Sequence, residues 1–373
     1  MTPRVLFTAT SYPTSDSDWK GIFIRRMVEA LGRREDLQLS AWLPPGQLPG
    51  NVLRATTSTD VAFLRDLMDA GGIAHLLRRK RIRGAWTAAG LLWRQRRAFR
   101  RNQADLFHVN WLQNALALPS GERPVLVTVL GTDMQLLRLP GVRGGLRRAF
   151  RGRRVVICPN AEWMLPVLET AFGDVATIRY VPFGIDERWY QVERRNEANA
   201  VPKWLCVSRL TRSKLGPLFE WTEPAFAHGR AELHLFGPMQ EQVELPAWVH
   251  WHGHASPDDL CENWFPIATG LITLSRHAEG RPQVMLEALA SGLPVVASHL
   301  PAHDDLLGEG DGGILCGSAA DTLTAIETLS VVDVNEALGR RGRALMQARI
   351  GSWNDCAARF VTLYQHLLER AQA

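Results

Sequence analysis

The 24 residues from Ser275 to Ser298 constrain this chain more than any other stretch. The apolar run Leu271–Leu274 enters them, and Leu293–Ala297 lies near their end. Each reads as a strand buried on both faces, the mark of a parallel sheet. Between the runs, Pro282 suits the first turn of a helix, where its missing N–H costs nothing. That helix is expected to run through Glu287 to Ser291. Gly292 supplies the left-handed residue that ends it. Strand, loop, helix and strand in this order predict a parallel α/β layer.

The alternation extends over most of the chain. Strands are expected at Arg4–Ala9, Gln38–Leu43, Leu106–Val109, Val125–Val129, Val155–Cys158 and Ile178–Val181. A second set follows at Lys203–Ser208, Ala231–Phe236, Val249–His252, Leu271–Leu274 and Leu293–Ala297. Helices are expected over Phe23–Gly32, over 60–101 with breaks at Gly71-Gly72 and Gly84, and over Ala161–Ala171. The polar stretch Asp186–Val201 reads as a linker. Ser352–Ala371 carries a helical apolar stripe at Ala357, Phe360, Val361, Tyr364 and Leu367. With 373 residues, two domains can each own a core. The expected division is 1–184, then 185–350, then a C-terminal helix over 351–373 that crosses back to the first domain. Both domains are expected to be Rossmann-like parallel sheets, with ligand held at the carboxyl ends of their strands.

The chemistry of the central string follows from its geometry. Glu279 falls in the strand-to-helix loop and Glu287 on the helix. The free N–H groups of Gln283, Val284 and Met285 open that helix and suit a phosphate. Carboxylates on either side could grip hydroxyls of a sugar and of a ribose around a bound diphosphate. Alternatively, Glu279 complements the helix dipole and Glu287 is a solvated helix residue. Arg209 and Lys214 follow the first strand of the second domain, five residues apart across a loop. A guanidinium and an ammonium so placed could neutralise a diphosphate without a metal; the alternative is solvated loop charge. His250, His252 and His254 alternate along one strand face, with Val249 and Trp251 expected toward the core. No carboxylate completes a metal site there. Gly21 opens a helix after a polar loop that begins at Tyr12 and includes Lys20, which suits close backbone approach to a ligand. His108 reads as a core histidine or a ligand contact.

The string resembles the Glu-x7-Glu signature of retaining glycosyltransferases of family 4, which have the GT-B fold. Ser208-Arg-Leu-Thr-Arg-Ser-Lys214 resembles that family's Gly-Arg-Leu-x-x-x-Lys-Gly segment, with Ser208 and Leu215 replacing glycines. Tyr180-Val-Pro-Phe-Gly-Ile-Asp186 resembles its Pro-x-Gly-Val/Ile-Asp turn. Thr128-Val-Leu-Gly-Thr-Asp133 resembles its Thr-x-His-Gly-x-Asp segment, but Leu130 replaces the histidine. The resemblance implies transfer of a sugar from a UDP- or GDP-sugar to a glycan or lipid-linked acceptor, with retention and no obligatory metal or other cofactor. It implies catalytic roles for Glu279, Arg209, Lys214 and Asp133, with Asp133 on the acceptor side. It implies donor binding by Glu287, Gly21, Gly237, Gly253, Gly280, Arg281, Gln283, Val284 and Met285. A GT-B relative with epimerase or phosphorylase chemistry would share the fold.

Charge adds a separate expectation. Between Asp69 and Asp105 there are ten basic residues and no acidic one, within a net charge of +5. Leu76, Leu77, Ile82, Trp86, Leu91, Leu92, Trp93 and Phe99 interleave with these arginines. The pattern suits a helix on an anionic membrane; the alternative packs the apolar residues on the sheet and solvates the arginines. A polyanion-binding protein would also explain the charge, but no nucleic-acid-binding module is visible and no nucleic-acid partner is expected. Five scattered cysteines, with no signal-peptide pattern, suit a cytoplasmic protein with reduced thiols, peripheral on the inner membrane face. The sugar, base, acceptor and oligomeric state stay open.

Overall fold

Continuous burial marks the inner strands of the first sheet, as in a parallel sheet covered on both faces. In the computed structural model, residues 2–15, 18, 21–195 and 201–369 are described. Lys20, residues 196–200 of the expected linker and 370–371 of the tail lie outside them. The chain divides into two units, residues 1–183 with 353–373, and residues 184–352.

The first unit holds β1 (Arg4–Thr8), β2 (Gln38–Trp42), β3 (Leu53–Arg54), β4 (Leu106–Asn110), β5 (Val125–Val129), β6 (Val155–Pro159) and β7 (Thr177–Ile178). They pair in parallel in the order β3-β2-β1-β4-β5-β6-β7. The second holds β8 (Lys203–Val207), β9 (Glu232–Phe236), β10 (Val249–Trp251), β11 (Gly270–Thr273), β12 (Val295–Ser298) and β13 (Gly313–Cys316). Their order is β10-β9-β8-β11-β12-β13, again parallel. Each sheet reverses its strand order once, beside its first strand. Such a switch point opens a crevice at the carboxyl ends of the two strands that flank it. In the second unit those strands are β8 and β11.

Side chains of the first sheet alternate between two cores. Phe107 and Val109 face a cluster shared with Leu91, Ala98 and Phe99 of the helix Arg81–Arg101. Leu106 faces the other cluster, shared with the helix Ile22–Gly32 and the C-terminal helix Trp353–Glu369. All five residues of the predicted stripe in that last helix are buried. His108 is buried beneath it. Its Nδ1 lies 2.5 Å from the Tyr364 hydroxyl and its Nε2 2.7 Å from Thr128 Oγ1. Burial holds its pKa down at about 3, so this is a neutral core histidine.

Several expectations need correction. The helix Arg81–Arg101 runs straight through Gly84, and the chain breaks at Lys80 instead. A Cβ at Gly84 would stand 2.8 Å from the Leu77 backbone nitrogen, so the glycine serves close packing of two helices. Ala161–Ala171 becomes a short 3-10 turn at Glu162–Met164 followed by an α-helix at Leu165–Phe172. Pro282 is the cap of its helix, which spans Gln283–Ala290. Trp251 does not face the core: it is 45% exposed and donates its indole N–H to the Gly237 carbonyl at 3.1 Å. Its strand is short and lies at the sheet edge, where fewer neighbours cover it.

Candidate active site

At the switch point of the second sheet, the loop after β8 and the loop after β11 lie against each other. The Arg276 N–H donates to the Ser213 carbonyl at 2.8 Å. Gly216 has φ +54°, and a Cβ there would stand 2.0 Å from the Leu274 carbonyl oxygen, so the approach admits only glycine. Thr211 caps the one-turn helix Arg212–Leu215 through the Lys214 N–H at 3.2 Å. This fixes the direction of the Lys214 side chain. Lys214 Nζ then pairs with Glu279 Oε1, and both side chains keep a narrow edge to solvent, 14% and 15% exposed. Arg209 is partly buried in the same loop. A cation from one strand end and a carboxylate from its neighbour thus meet at the crevice.

The rest of the central string sits around this pair. The Gly292 and Leu293 N–H groups bond to Leu289 at 2.9 Å and to Ala288 at 2.8 Å, with Gly292 at φ +69°. This is the Schellman stop that the sequence predicts. Gln283 Nε2 reaches the Gly184 carbonyl at 3.1 Å. Met285 is buried, Val284 and Glu287 are partly exposed, and Gly280 is buried beside Glu279. Beyond the helix end, Arg194 Nη1 binds the Gly292 carbonyl and Arg343 Nη2 the Ser291 carbonyl, at 2.6 and 2.7 Å. Cations here complement the helix dipole. Burial, then the Arg343 charge, hold the Arg194 pKa down to about 10.

Gly237 ends β9 with φ +131°, and a Cβ would collide with the Ser208 carbonyl oxygen at 1.8 Å. Its N–H donates to the Gly253 carbonyl at 2.6 Å. Gly253 has open space around its Cβ position but φ +70°. The three loops after β8, β9 and β10 are thereby tied to one another. Below them, His234 Nδ1 and His252 Nε2 are 2.9 Å apart, with Glu232 on the far side of His234 at 3.0 Å. Among the described residues no group of three His, Cys, Asp or Glu is arranged to hold a metal.

Two expected site residues also hold the fold together. Arg281 pairs with Asp305, and their side chains are only 4% and 9% exposed. A guanidinium so enclosed depends on its ion-pair partner. Asp133 is buried in the first unit; its Oδ1 accepts the Leu130 N–H and its Oδ2 the Leu112 N–H, both at 3.0 Å. Burial raises its pKa against those bonds. The carboxylate ties the loop after β4 to the loop after β5. Gly21, also in the first unit, has φ +75°; a Cβ would stand 2.6 Å from Ser11 Oγ. It lets its helix start against the Ser11–Tyr12 backbone.

No sequence pattern pointed to His303, which is buried and donates Nδ1–H to the Ser298 carbonyl at 2.8 Å. Glu279 and Lys214 both act on its charge. Nor did any pattern single out Trp111, the one described non-glycine residue with positive φ, at +67°. It follows β4 at the switch point of the first sheet. Such strain costs about 1–3 kcal/mol and gathers at functional sites. Thr211 was legible, because a threonine three residues before the residue whose N–H it accepts is a common cap.

Two parallel-sheet units, each with a crevice at its switch point, define the GT-B fold. Residues 201–330, which hold all six strands of the second unit's sheet, match the family model described as Glycosyl transferases group 1. The chain is a glycosyltransferase similar to those of family 4. It is 25% identical over 282 residues, 68% of this chain and 73% of the relative, to a GDP-mannose-dependent monoacylated alpha-(1-6)-phosphatidylinositol monomannoside mannosyltransferase of Corynebacterium glutamicum. Among solved structures, sucrose-phosphate synthase from Thermosynechococcus elongatus superposes with a TM-score of 0.73 at 15% identity, over 99% of this chain and 100% of that one. Anabaena HepE in complex with UDP and glucose gives 0.63 at 12%, over 98% and 100%. No described helix is long and apolar enough to cross a membrane.

Proposed function

We propose that the chain moves a sugar from a UDP- or GDP-sugar to a glycan or lipid-linked acceptor, with retention at the anomeric carbon, in the synthesis of a cell-surface polysaccharide or glycolipid. The observation that carries this reading is the Lys214–Glu279 pair at the second switch point, with Arg209 in the same loop. The donor named for the Corynebacterium relative and the UDP in the HepE complex support a nucleotide-sugar.

The leaving group of such a donor is a nucleoside diphosphate, so negative charge grows on it as the glycosidic bond breaks. Fixed cations aimed there stabilise the transition state more than the ground state. Lys214 would trade part of its contact with Glu279 for a phosphate oxygen, and Arg209 would bind a second. The N–H groups at Gln283 to Met285 add the positive end of a helix. Glu279, released in part, would accept hydrogen bonds from sugar hydroxyls, and Glu287 from the ribose. No obligatory metal is part of this reading. An acceptor carried on lipid would bring the enzyme to the cytoplasmic face of the inner membrane as a peripheral protein.

Arg209→Ala/Lys214→Ala is expected to lower transfer by about 100-fold or more, on the scale of losing oxyanion stabilisers. The measurement is turnover over a panel of nucleotide-sugars. Survival within about tenfold would sink this reading.

A further inference from the structure

The apolar residues interleaved with the arginines of 75–101 do not share one fate. Leu91 and Phe99 are buried, and Leu76 and Leu92 pack on the same core. Ile82, Trp86 and Trp93 are 79%, 76% and 57% exposed. All three lie on the helix Arg81–Arg101. At 3.6 residues per turn they fall within about 40° of one another around the axis. Arg97 and Arg100, both exposed, stand in the same sector or beside it. The Arg97 guanidinium lies 5.7 Å from the Trp93 ring centroid.

This face is held outward by the buried Leu91 and Ala98 on the opposite side and by bonds on its two flanks. The buried Asp60 carboxylate takes Arg94 and Arg101, each at 3.4 Å. Arg96 donates to the Leu118 carbonyl at 3.0 Å. The helix cannot roll to hide its tryptophans without breaking those contacts. Three large apolar side chains grouped in water mark a surface that meets something. The charge says what: between Asp69 and Asp105 there are ten basic residues and no acidic one. Tryptophan combines an apolar body with a polar edge and settles at the headgroup level. Arginine binds phosphate in two-point contacts.

We infer that the helix Arg81–Arg101 lies flat on an anionic lipid surface. Ile82, Trp86 and Trp93 enter the acyl boundary, and Arg97 and Arg100 hold lipid phosphates. The docking depends on the transferase reading only for its purpose, which is to bring the enzyme to a lipid-borne acceptor.

The test is co-sedimentation of the full chain with phosphatidylcholine vesicles, with and without 30% phosphatidylglycerol, at about 0.1 and 0.5 M salt, where screening differs strongly. Binding is expected only with the anionic lipid, weakened by salt. Trp86→Ser/Trp93→Ser should reduce it at least about tenfold, from the lost interfacial burial. Leu53→Ser, an exposed leucine on β3, should leave it unchanged. Equal binding to neutral vesicles, or a Trp86→Ser/Trp93→Ser protein that still binds fully, overturns the proposal. So does retention on single-stranded DNA without vesicle binding, or a dimer that the same variant dissolves. A folding defect is bypassed with a polarity-sensitive dye at Ala89→Cys in a Cys261→Ser background. Its emission should shift to the blue on anionic vesicles, and an unshifted spectrum counts against docking. Loss of vesicle binding with intact transfer to a soluble acceptor overturns only the docking. Loss of transfer with intact vesicle binding overturns only the transferase reading.

Discussion

Two carboxylates at the carboxyl ends of parallel strands, Asp133 after β5 and Glu279 after β11, meet opposite fates. Asp133 is buried and gives each oxygen to a backbone N–H. Glu279 gives an oxygen to an ammonium and keeps an edge to water. Backbone donors cannot leave without unmaking the loop, so the first carboxylate is bound to structure. A lysine on a flexible stem can turn to another anion, so the second can change partners. The partner of a carboxylate, more than its place at a strand end, separates a fold element from a candidate for chemistry.

The largest expected effect belongs to a third carboxylate, Asp305, whose cation is itself enclosed. Arg281→Ala should cost about 3–5 kcal/mol, because a buried charge is left without its partner. Arg281→Met/Asp305→Leu should recover most of that loss in urea unfolding. If Arg281→Ala instead leaves stability intact and abolishes donor binding, the pair belongs to the site after all.

The comparison itself is tested by Asp133→Ala against Glu279→Ala. The first orphans two buried N–H groups and should cost about 2–4 kcal/mol. The second should cost about 1 kcal/mol, as for a pair with access to water, while transfer falls steeply. Equal losses of stability would erase the distinction drawn between the two carboxylates.

A pH-dependent effect concerns His108, whose folded pKa is about 3 against about 6.5 in an unfolded chain. Above pH 6.5 neither state holds the extra proton, and the contribution of His108 is fully present. Below it the unfolded chain takes up a proton that the folded chain refuses. Stability therefore falls between about pH 6.5 and 3, by up to about 1.4 kcal/mol per pH unit from this residue. Unfolding free energies at pH 7.5 and 5.5 should differ less in His108→Phe than in the parent; an unchanged difference would mean that the ring is not kept neutral by burial.

Local signals carried far in this chain. Eleven of the thirteen described strands, the Gly292 stop and the stripe of the last helix were legible in local patterns, and the structure has them; the short edge strand β3 and the edge strand β13 were not read. What else escaped reading depends on residues far apart in sequence. Arg281 meets Asp305 24 positions on, and His108 meets Tyr364 256 positions on. No periodicity encodes such pairs. Trp251 escaped for another reason: alternation tells which face a residue takes, but not that an edge strand leaves that face uncovered. In the arginine helix the pattern named the apolar residues, and only packing separated Leu91 and Phe99 from Trp86 and Trp93.

The second unit begins and ends at one place. The Ile185 N–H donates to the Gly351 carbonyl at 3.0 Å, and Ile185 bridges to Ser352. The first unit, by contrast, draws its last core helix from beyond that bond. During synthesis the first sheet must therefore wait, one face only partly covered by the helix Ile22–Gly32, until the whole inserted unit has left the ribosome. The inserted unit can close as soon as Gly351 emerges. An early-made half that finishes last needs protection while it waits, and a chaperone holding the part of the face over β4, β5 and β6 would have a defined moment of release: the arrival of Trp353–Glu369.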